Sequence, residues 1–300
     1  MSKTFQPGLF NGKVLFSTGG RSGISFGIVK KMLSLGCKVA IVGRDAAALQ
    51  KAADELTEAT GSECIACSSD VRDPEAMKVA VGKCIEKFGK IDFVICGAAG
   101  NFLSPIDLLS PNAFKTVIEI DLLGTFNTIK ATLPFIRQTK GSYIHISATL
   151  HYRGIAYQAH VSAAKAGVDA LSNVLAVEEG PRGVRSNIVA PDKSLSPCTL
   201  HQKLGTDESD KMMHNAIPLG QMGKTQDIAS MCCFLFSEEA DWITGQVFVV
   251  DGGELHTSRP ALPYPESVLD PEKFMSIIRD PKKGGGQSKL KAAKQGGPKL

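Results

Sequence analysis

The chain has 300 residues, 43% of them hydrophobic, with a formal charge of +4 at neutral pH, which is enough apolar material for one large α/β core or two smaller ones. No apolar run approaches the roughly 20 residues of a membrane helix, and no charged-then-apolar leader opens the sequence, so a soluble protein of the cell interior is expected. The positive excess is local: the last nineteen residues, KKGGGQSKLKAAKQGGPKL, carry six lysines and no acid, leaving 28 basic against 30 acidic groups elsewhere.

After a short N-terminal extension, residues 1–10, β-rich runs alternate with helical patterns. KVLFST precedes a helix near 22–35, KVAIVG one near 45–60, and ECIACS one near 74–88. IDFVIC, a long helix near 112–138, GSYIHIS, a helix around Lys165 and VRSNIVA follow, and a helix near 225–237 and QVFVV close the series. Strands with almost no polar alternation are buried on both faces, as in a parallel sheet covered by helices. The expected fold is a single doubly wound Rossmann-type α/β domain over 11–253, with a roughly seven-stranded parallel sheet. The polar stretch 192–216 takes the place of a substrate lid. Residues 254–281 read as an irregular extension and 282–300 as a disordered tether, because lysines without interleaved aromatics are a poor nucleic-acid surface.

Most of the eight cysteines sit in apolar segments, which favours buried thiols over disulfides. Cys64 and Cys67 have the spacing of half a zinc site with no second half, so no metal is expected.

The loop STGGRSGIS joins the first strand to the first helix. Gly19, Gly20 and Gly23 let the backbone approach a pyrophosphate, and Arg21, Ser22 and Ile24 lead into a helix N-terminus rich in amide donors. Ser25 stands in place of the usual third glycine and needs room for its hydroxyl at the helix–strand contact. Arg44 follows the second strand where an acid would bind a bare ribose; a guanidinium there pairs with a 2′-phosphate and favours NADPH over NADH. Asp45 beside it either argues the other way or caps the next helix. Asp70, followed by Val71, either touches the adenine or serves as a turn residue.

TGGRSG, CGAAGNF, SATLHYRG and HVSAAKAG, in that order, resemble the short-chain dehydrogenase/reductase family over 11–253. More narrowly, GKIDFVICGAAGNF, LSPNAFKTVIEIDLLGTFNT and SATLHYRG resemble the fungal peroxisomal 2,4-dienoyl-CoA reductases. The resemblance implies NADPH-dependent reduction of a 2,4-dienoyl-CoA to a 3-enoyl-CoA in breakdown of unsaturated fatty acids. It also implies a homo-oligomer, and cofactor contacts from Ala98, Ala99, Gly100, Lys165 and Pro191.

One position departs from most of the family. Four residues before Lys165, where a tyrosine ordinarily hands a proton to substrate oxygen, stands Val161. Reduction of a conjugated dienoyl thioester instead adds hydride at the δ carbon and protonates the α carbon, so carboxyl-held water can replace the phenol. The resemblance assigns that work to Asp121, where ordinary members have asparagine, and to Asp251, which alternatively just shapes its DGG turn. A carboxyl near another acid in an apolar cleft has its pKa raised and can relay a proton. Lys165 would grip the nicotinamide ribose and favour a developing dienolate. Ser147 matches the family serine and would bond the thioester oxygen or the cofactor amide.

For substrate, the resemblance points to Asn101, Phe102, Ser110, Asn112 and Arg72, the last able to meet a coenzyme A phosphate or to be an ordinary surface arginine. His160 reads as a satisfied structural histidine. Tyr152 and Tyr157 are the phenols a rival carbonyl or 3-oxoacyl reductase would use. Asp192 replaces the usual glycine after VAP and, with Ser25, leaves room for a slowed enzyme or an inactive NADPH-binding regulatory subunit. Pro298-Lys299-Leu300 resembles the SKL-type peroxisomal signal, which an import receptor reads; without it the protein would stay cytoplasmic.

Overall fold

β1 (Val14–Thr18), VLFST, is buried along its whole length, and β2 (Lys38–Gly43) and β4 (Phe93–Cys96) flank it in parallel register, with Phe16 opposite Ala40 on one side and Val94 on the other. β3 (Cys64–Ser68), β5 (Ser142–Ile146), β6 (Arg185–Pro191) and β7 (Val247–Val250) complete a seven-stranded parallel sheet of order β3-β2-β1-β4-β5-β6-β7. The order reverses between β1 and β4, and in such sheets ligands bind above the strand ends at that switch point. This computed structural model describes residues 4–192, 217–257 and 264–279. The expected lid, apart from Asp192, and the tail with Pro298-Lys299-Leu300 lie outside the described residues.

Helices cover both faces of the sheet, as the unbroken apolar strands require. α1 (Gly23–Ser34), α2 (Ala46–Thr60) and the helix Thr225–Phe236 pack their apolar residues into one core cluster, with Phe93 stacked on Phe236 at 4.6 Å between ring centroids. α3 (Pro74–Phe88), α5 (Gly124–Thr139) and α7 (Ala159–Glu179) cover the other face around Phe16, Val94 and Tyr143. A single helical turn, α6 (Leu150–Arg153), leads from β5 toward α7. Each fully buried Leu, Ile or Phe in these layers is worth roughly 1.5–3 kcal/mol over its exposed state. Phe10, just ahead of the expected domain start, is buried against Phe93 at 5.6 Å.

Two expectations are corrected. QVFVV is no doubly buried strand: β7 is the sheet edge, so Phe248 and Val250 pack on the core while Val247 and Val249 stay about two-fifths exposed. The long helix near 112–138 is interrupted. α4 (Pro111–Val117) and α5 are joined by a π-helical turn, Ile118–Leu123. Such a turn inserts an extra residue and re-aims the side chains it carries, often at functional sites. Asp121 lies on it, fully buried.

Candidate active site

The glycine loop is built for close approach. Gly19 has φ +78°, and a Cβ there would sit 2.6 Å from the Gly97 carbonyl oxygen. Thr18 Oγ1 ties the two loops together, accepting the amides of Gly97 at 3.1 Å and Ala98 at 3.3 Å. Ser25 is buried, and its room comes from Gly97: a Cβ on Gly97 would lie 2.3 Å from Ser25 Oγ. A second glycine thus compensates for the missing third one. Ser22 begins α1 in extended conformation without a side-chain cap, so the first amides of the helix are left for an anion. Gly20 is buried against Ile41, and Ile24 packs on the core. These features fit the pyrophosphate of a dinucleotide.

At the far end of the loop, Asp45 caps α2 by accepting the Ala48 amide at 3.0 Å, and exposed Arg21 stands 3.9 Å from its carboxylate. Arg44 is exposed beside them. Asp70 is forked by Arg72, with Nη2 at 2.6 Å and Nε at 3.1 Å, and these bonds hold the carboxyl below its usual range. Arg72 is therefore an ion-pair partner first. Val71 is buried under Gly124, and its carbonyl accepts from Asn127 Nδ2 at 2.9 Å.

The centre is an ion pair under the switch point. Lys165, on α7, donates to the Ile146 carbonyl at 2.9 Å and sits 3.1 Å from Asp121 Oδ2, while Asp121 Oδ1 accepts the Gly100 amide at 2.7 Å. Both side chains are almost wholly buried. An ammonium has three donors, so one remains for ribose hydroxyls. Ser147, after β5, is 3% exposed and its hydroxyl has no partner among the described residues. Val161 is buried in a small apolar cluster with Val117 and Ala164. Pro191 ends β6, and Ala99 is exposed in the loop after β4.

Asp121 is paired with the lysine, and Asp251 is held by backbone amides. Asp251 spends Oδ1 on the Gly253 amide at 2.8 Å and Oδ2 on the Leu255 amide at 2.6 Å, shaping the turn after β7, and no hydrogen bond joins it to Asp121 among the described residues. The spare phenols are also engaged elsewhere. Tyr152 donates to Asp169 at 2.6 Å, and Tyr157, 6% exposed, donates to the Ser267 carbonyl of the C-terminal extension. His160 is fully buried with its ring against Phe102, whose backbone carbonyl it meets, and burial lowers its pKa.

Asp192 belongs to a network the sequence did not disclose. Arg153 donates Nη2 to Asp192 at 2.9 Å and to the buried Glu254 carboxylate, and Thr149 donates to Asp192 as well. Burial, helped by the neighbouring Glu254 carboxyl, pushes the Asp192 acid up to about 7. The network ties together the loops after β5, β6 and β7. Its residues are spread over about a hundred positions without a pattern of spacing, and SATLHYRG, which holds Thr149 and Arg153, was its one visible trace.

The residues expected to meet substrate lie between β4 and the first turn of α4. Asn101 and Phe102 are exposed after Gly100, and the Phe102 ring tilts against that of His160 at 4.2 Å. Ser110 caps α4 through the Ala113 amide at 3.2 Å, and Asn112 is exposed in its first turn. Among the described residues no three His, Cys, Asp or Glu side chains are grouped to hold a metal, and the seven cysteines among them are free and buried. No helix among them is long and apolar enough to cross a membrane.

Comparison with known proteins agrees with this geometry. A family model described as enoyl-(acyl carrier protein) reductase matches residues 19–254. The chain is 47% identical over 256 residues to the peroxisomal 2,4-dienoyl-CoA reductase of Saccharomyces cerevisiae, (3E)-enoyl-CoA-producing, covering 84% of this chain and 87% of that one. It is 43% identical over 256 residues to the enzyme of the same description from Danio rerio, covering 85% of each. Among solved structures, a short chain dehydrogenase from Bacillus anthracis superimposes with a TM-score of 0.75 at 33% identity, covering 83% of this chain and 99% of that one. With its glycine loop, buried lysine and parallel seven-stranded sheet, the chain belongs to the short-chain dehydrogenase/reductase family, whose members use a nicotinamide cofactor.

Proposed function

We propose that the protein reduces 2,4-dienoyl-CoA thioesters to 3-enoyl-CoA with NADPH in the β-oxidation of unsaturated fatty acids. One observation carries this reading: a fully buried aspartate is paired with the family lysine, while valine fills the tyrosine position and both nearby phenols are spent on other partners. A carbonyl reductase would need one of those phenols over the pocket. The names of the relatives, peroxisomal 2,4-dienoyl-CoA reductases, support the substrate class.

Gly19, Gly20, Gly23, the α1 amides, Arg21 and Arg44 would hold the cofactor, which would supply a hydride for the δ carbon. Electrons then shift toward the thioester oxygen, and Lys165 beside it keeps the local potential positive for the dienolate. A water hydrogen-bonded to Asp121 delivers the proton to the α carbon, and the hydroxide left behind is reprotonated from bulk solvent. Asp251, which also shapes the turn after β7, is the second carboxyl assigned to that water. Asn101, Phe102, Ser110 and Asn112 line the acyl entrance, and Arg72, shared with Asp70, reaches for a coenzyme A phosphate.

Exposed Leu123 at the end of the π-helical turn, Phe126 on α5 and Val174 and Val177 on α7 support self-association. The relatives' descriptions and the terminal Pro298-Lys299-Leu300 support import into the peroxisomal matrix by its receptor. Mixing the protein with NADPH and hexadienoyl-CoA tests the activity: absorbance at the cofactor band falls, and the product is a 3-enoyl thioester. Turnover on 3-oxoacyl-CoA but not on the dienoyl thioester would reverse the assignment.

A further inference from the structure

We propose that the loop 102–108 and the short helix Glu266–Leu269 of the C-terminal extension, joined through Tyr157, form an apolar strip for the distal carbons of the acyl chain, so that the enzyme favours dienoyl thioesters longer than six carbons. The inference rests on the dienoyl-CoA reading above and names the substrate class within it.

Tyr157, between α6 and α7, is the joint. Its backbone carbonyl accepts the Ser104 amide at 3.2 Å, and its phenol donates to the Ser267 carbonyl. Burial raises the Tyr157 pKa, and Asp107 and Asp270 add to the rise, so both acids stand around one hydroxyl. Tyr157 holds this place at φ +71°, a conformation that bulky residues rarely adopt. Ser104 and Ser267 are buried at the joint, so the loop after β4 and the C-terminal extension lie side by side. The strip starts at the site itself. Phe102, two residues before Ser104, has its ring 4.2 Å from that of His160, which precedes Lys165 by five residues on α7.

The side chains beside the two acids are apolar and open. Ile106 and Leu108 border Asp107, Val268 and Leu269 precede Asp270, and the four are between 46% and 79% exposed. A single apolar side chain on a surface is ordinary, whereas several gathered around one joint mark a binding surface. Charge decides which end of the substrate lies there. Asp107 is the one charged residue over 101–110, and Glu266, Asp270 and Glu272 outnumber Lys273 over 264–276. Such a rim repels the phosphates of coenzyme A and leaves the uncharged tail as the occupant. The extension lies beyond residue 254, where the matched family region ends, so the common core does not supply this half of the strip.

The test combines Ile106→Ser with Leu269→Ser, two exposed positions whose replacement should leave thermal unfolding as in the wild type. KM is measured with NADPH for hexadienoyl-CoA and for the ten-carbon 2,4-decadienoyl-CoA. A methylene moved fully out of water tightens binding about fourfold, and one-sided contact yields less. Wild-type KM therefore falls about fivefold or more from the six-carbon to the ten-carbon substrate. In the double variant KM for decadienoyl-CoA rises about fivefold, while that for hexadienoyl-CoA, whose chain ends short of the strip, stays within about twofold. A wild-type KM that does not fall with length, an unchanged decadienoyl-CoA value in the variant, or an equal rise for both substrates overturns the assignment. If the double variant unfolds, Val268→Ser takes its place, with a decadienoyl-specific rise of about twofold or more expected and its absence overturning the strip. Binding of hexanoyl-CoA and decanoyl-CoA to the enzyme with NADP+ repeats the comparison without turnover. Absence of wild-type turnover on both dienoyl thioesters removes the dienoyl-CoA reading itself, and the binding comparison then decides the strip alone.

Discussion

Replacing Asp121 by asparagine isolates what the buried ion pair contributes. At 3.1 Å, two unit charges attract by about 5 kcal/mol at an effective dielectric of about 20. Desolvation of both groups offsets much of that, but removing one partner strands the other, which costs about 3–5 kcal/mol. The introduced amide would keep an oxygen for the Gly100 N–H and Lys165 would keep the Ile146 carbonyl, which puts the loss at about 3 kcal/mol. For a domain of this size Tm then falls by about 6–12 °C. With its water no longer held by a carboxylate, kcat on hexadienoyl-CoA drops about 100-fold, at the lower end for a positioned proton-transfer group. Calorimetry on Asp121→Asn, Lys165→Met and the double variant completes a cycle, in which the second substitution costs little because no charge is left stranded. A coupling below about 0.5 kcal/mol, or a single variant with wild-type Tm and kcat, would refute the assignment of both stability and proton delivery to this pair.

Other perturbations read the remaining parts of the site. Because the folded protein holds the Asp192 acid at about 7 against a usual 3.8, with Arg153, Glu254 and Thr149 facing it, the unfolded chain loses that proton first as pH rises. The contribution is thus full below about pH 4 and lost by about pH 7, at no more than about 1.4 kcal/mol per unit. Asp192→Asn should flatten the Tm profile across that window, and a profile of unchanged slope would show that the proton is not held there. Arg44→Ala should raise KM for NADPH about tenfold or more and leave KM for NADH within about twofold, since only the former carries a 2′-phosphate; equal effects on both would remove Arg44 from phosphate recognition. Tyr157→Phe should keep kcat within about threefold and cost about 1 kcal/mol in thermal unfolding, because its phenol serves the Ser267 carbonyl. Loss of turnover with stability intact would revive the phenol mechanism.

Much of this protein was legible from residue order alone. Strands such as VLFST and FVIC carry no polar alternation, so a parallel sheet between helices is the one way to keep them dry, and glycine between a strand and a helix marks the pyrophosphate turn whatever surrounds it. Lys165, Val161 and Asp121 likewise marked the candidate site by their places in local motifs. Tertiary structure decided which groups meet. It brought Lys165 to Asp121, let the Asp251 oxygens close the Gly253–Leu255 turn, and gave Ser25 its room through Gly97, some seventy residues away. It also joined Arg153 to Asp192 and Glu254, and buried His160 against Phe102. Periodicity reports which face of an element seeks the core. Which charged atoms come within 3 Å depends on where separate strands end and on a single extra residue in a helical turn, and no local pattern encodes either.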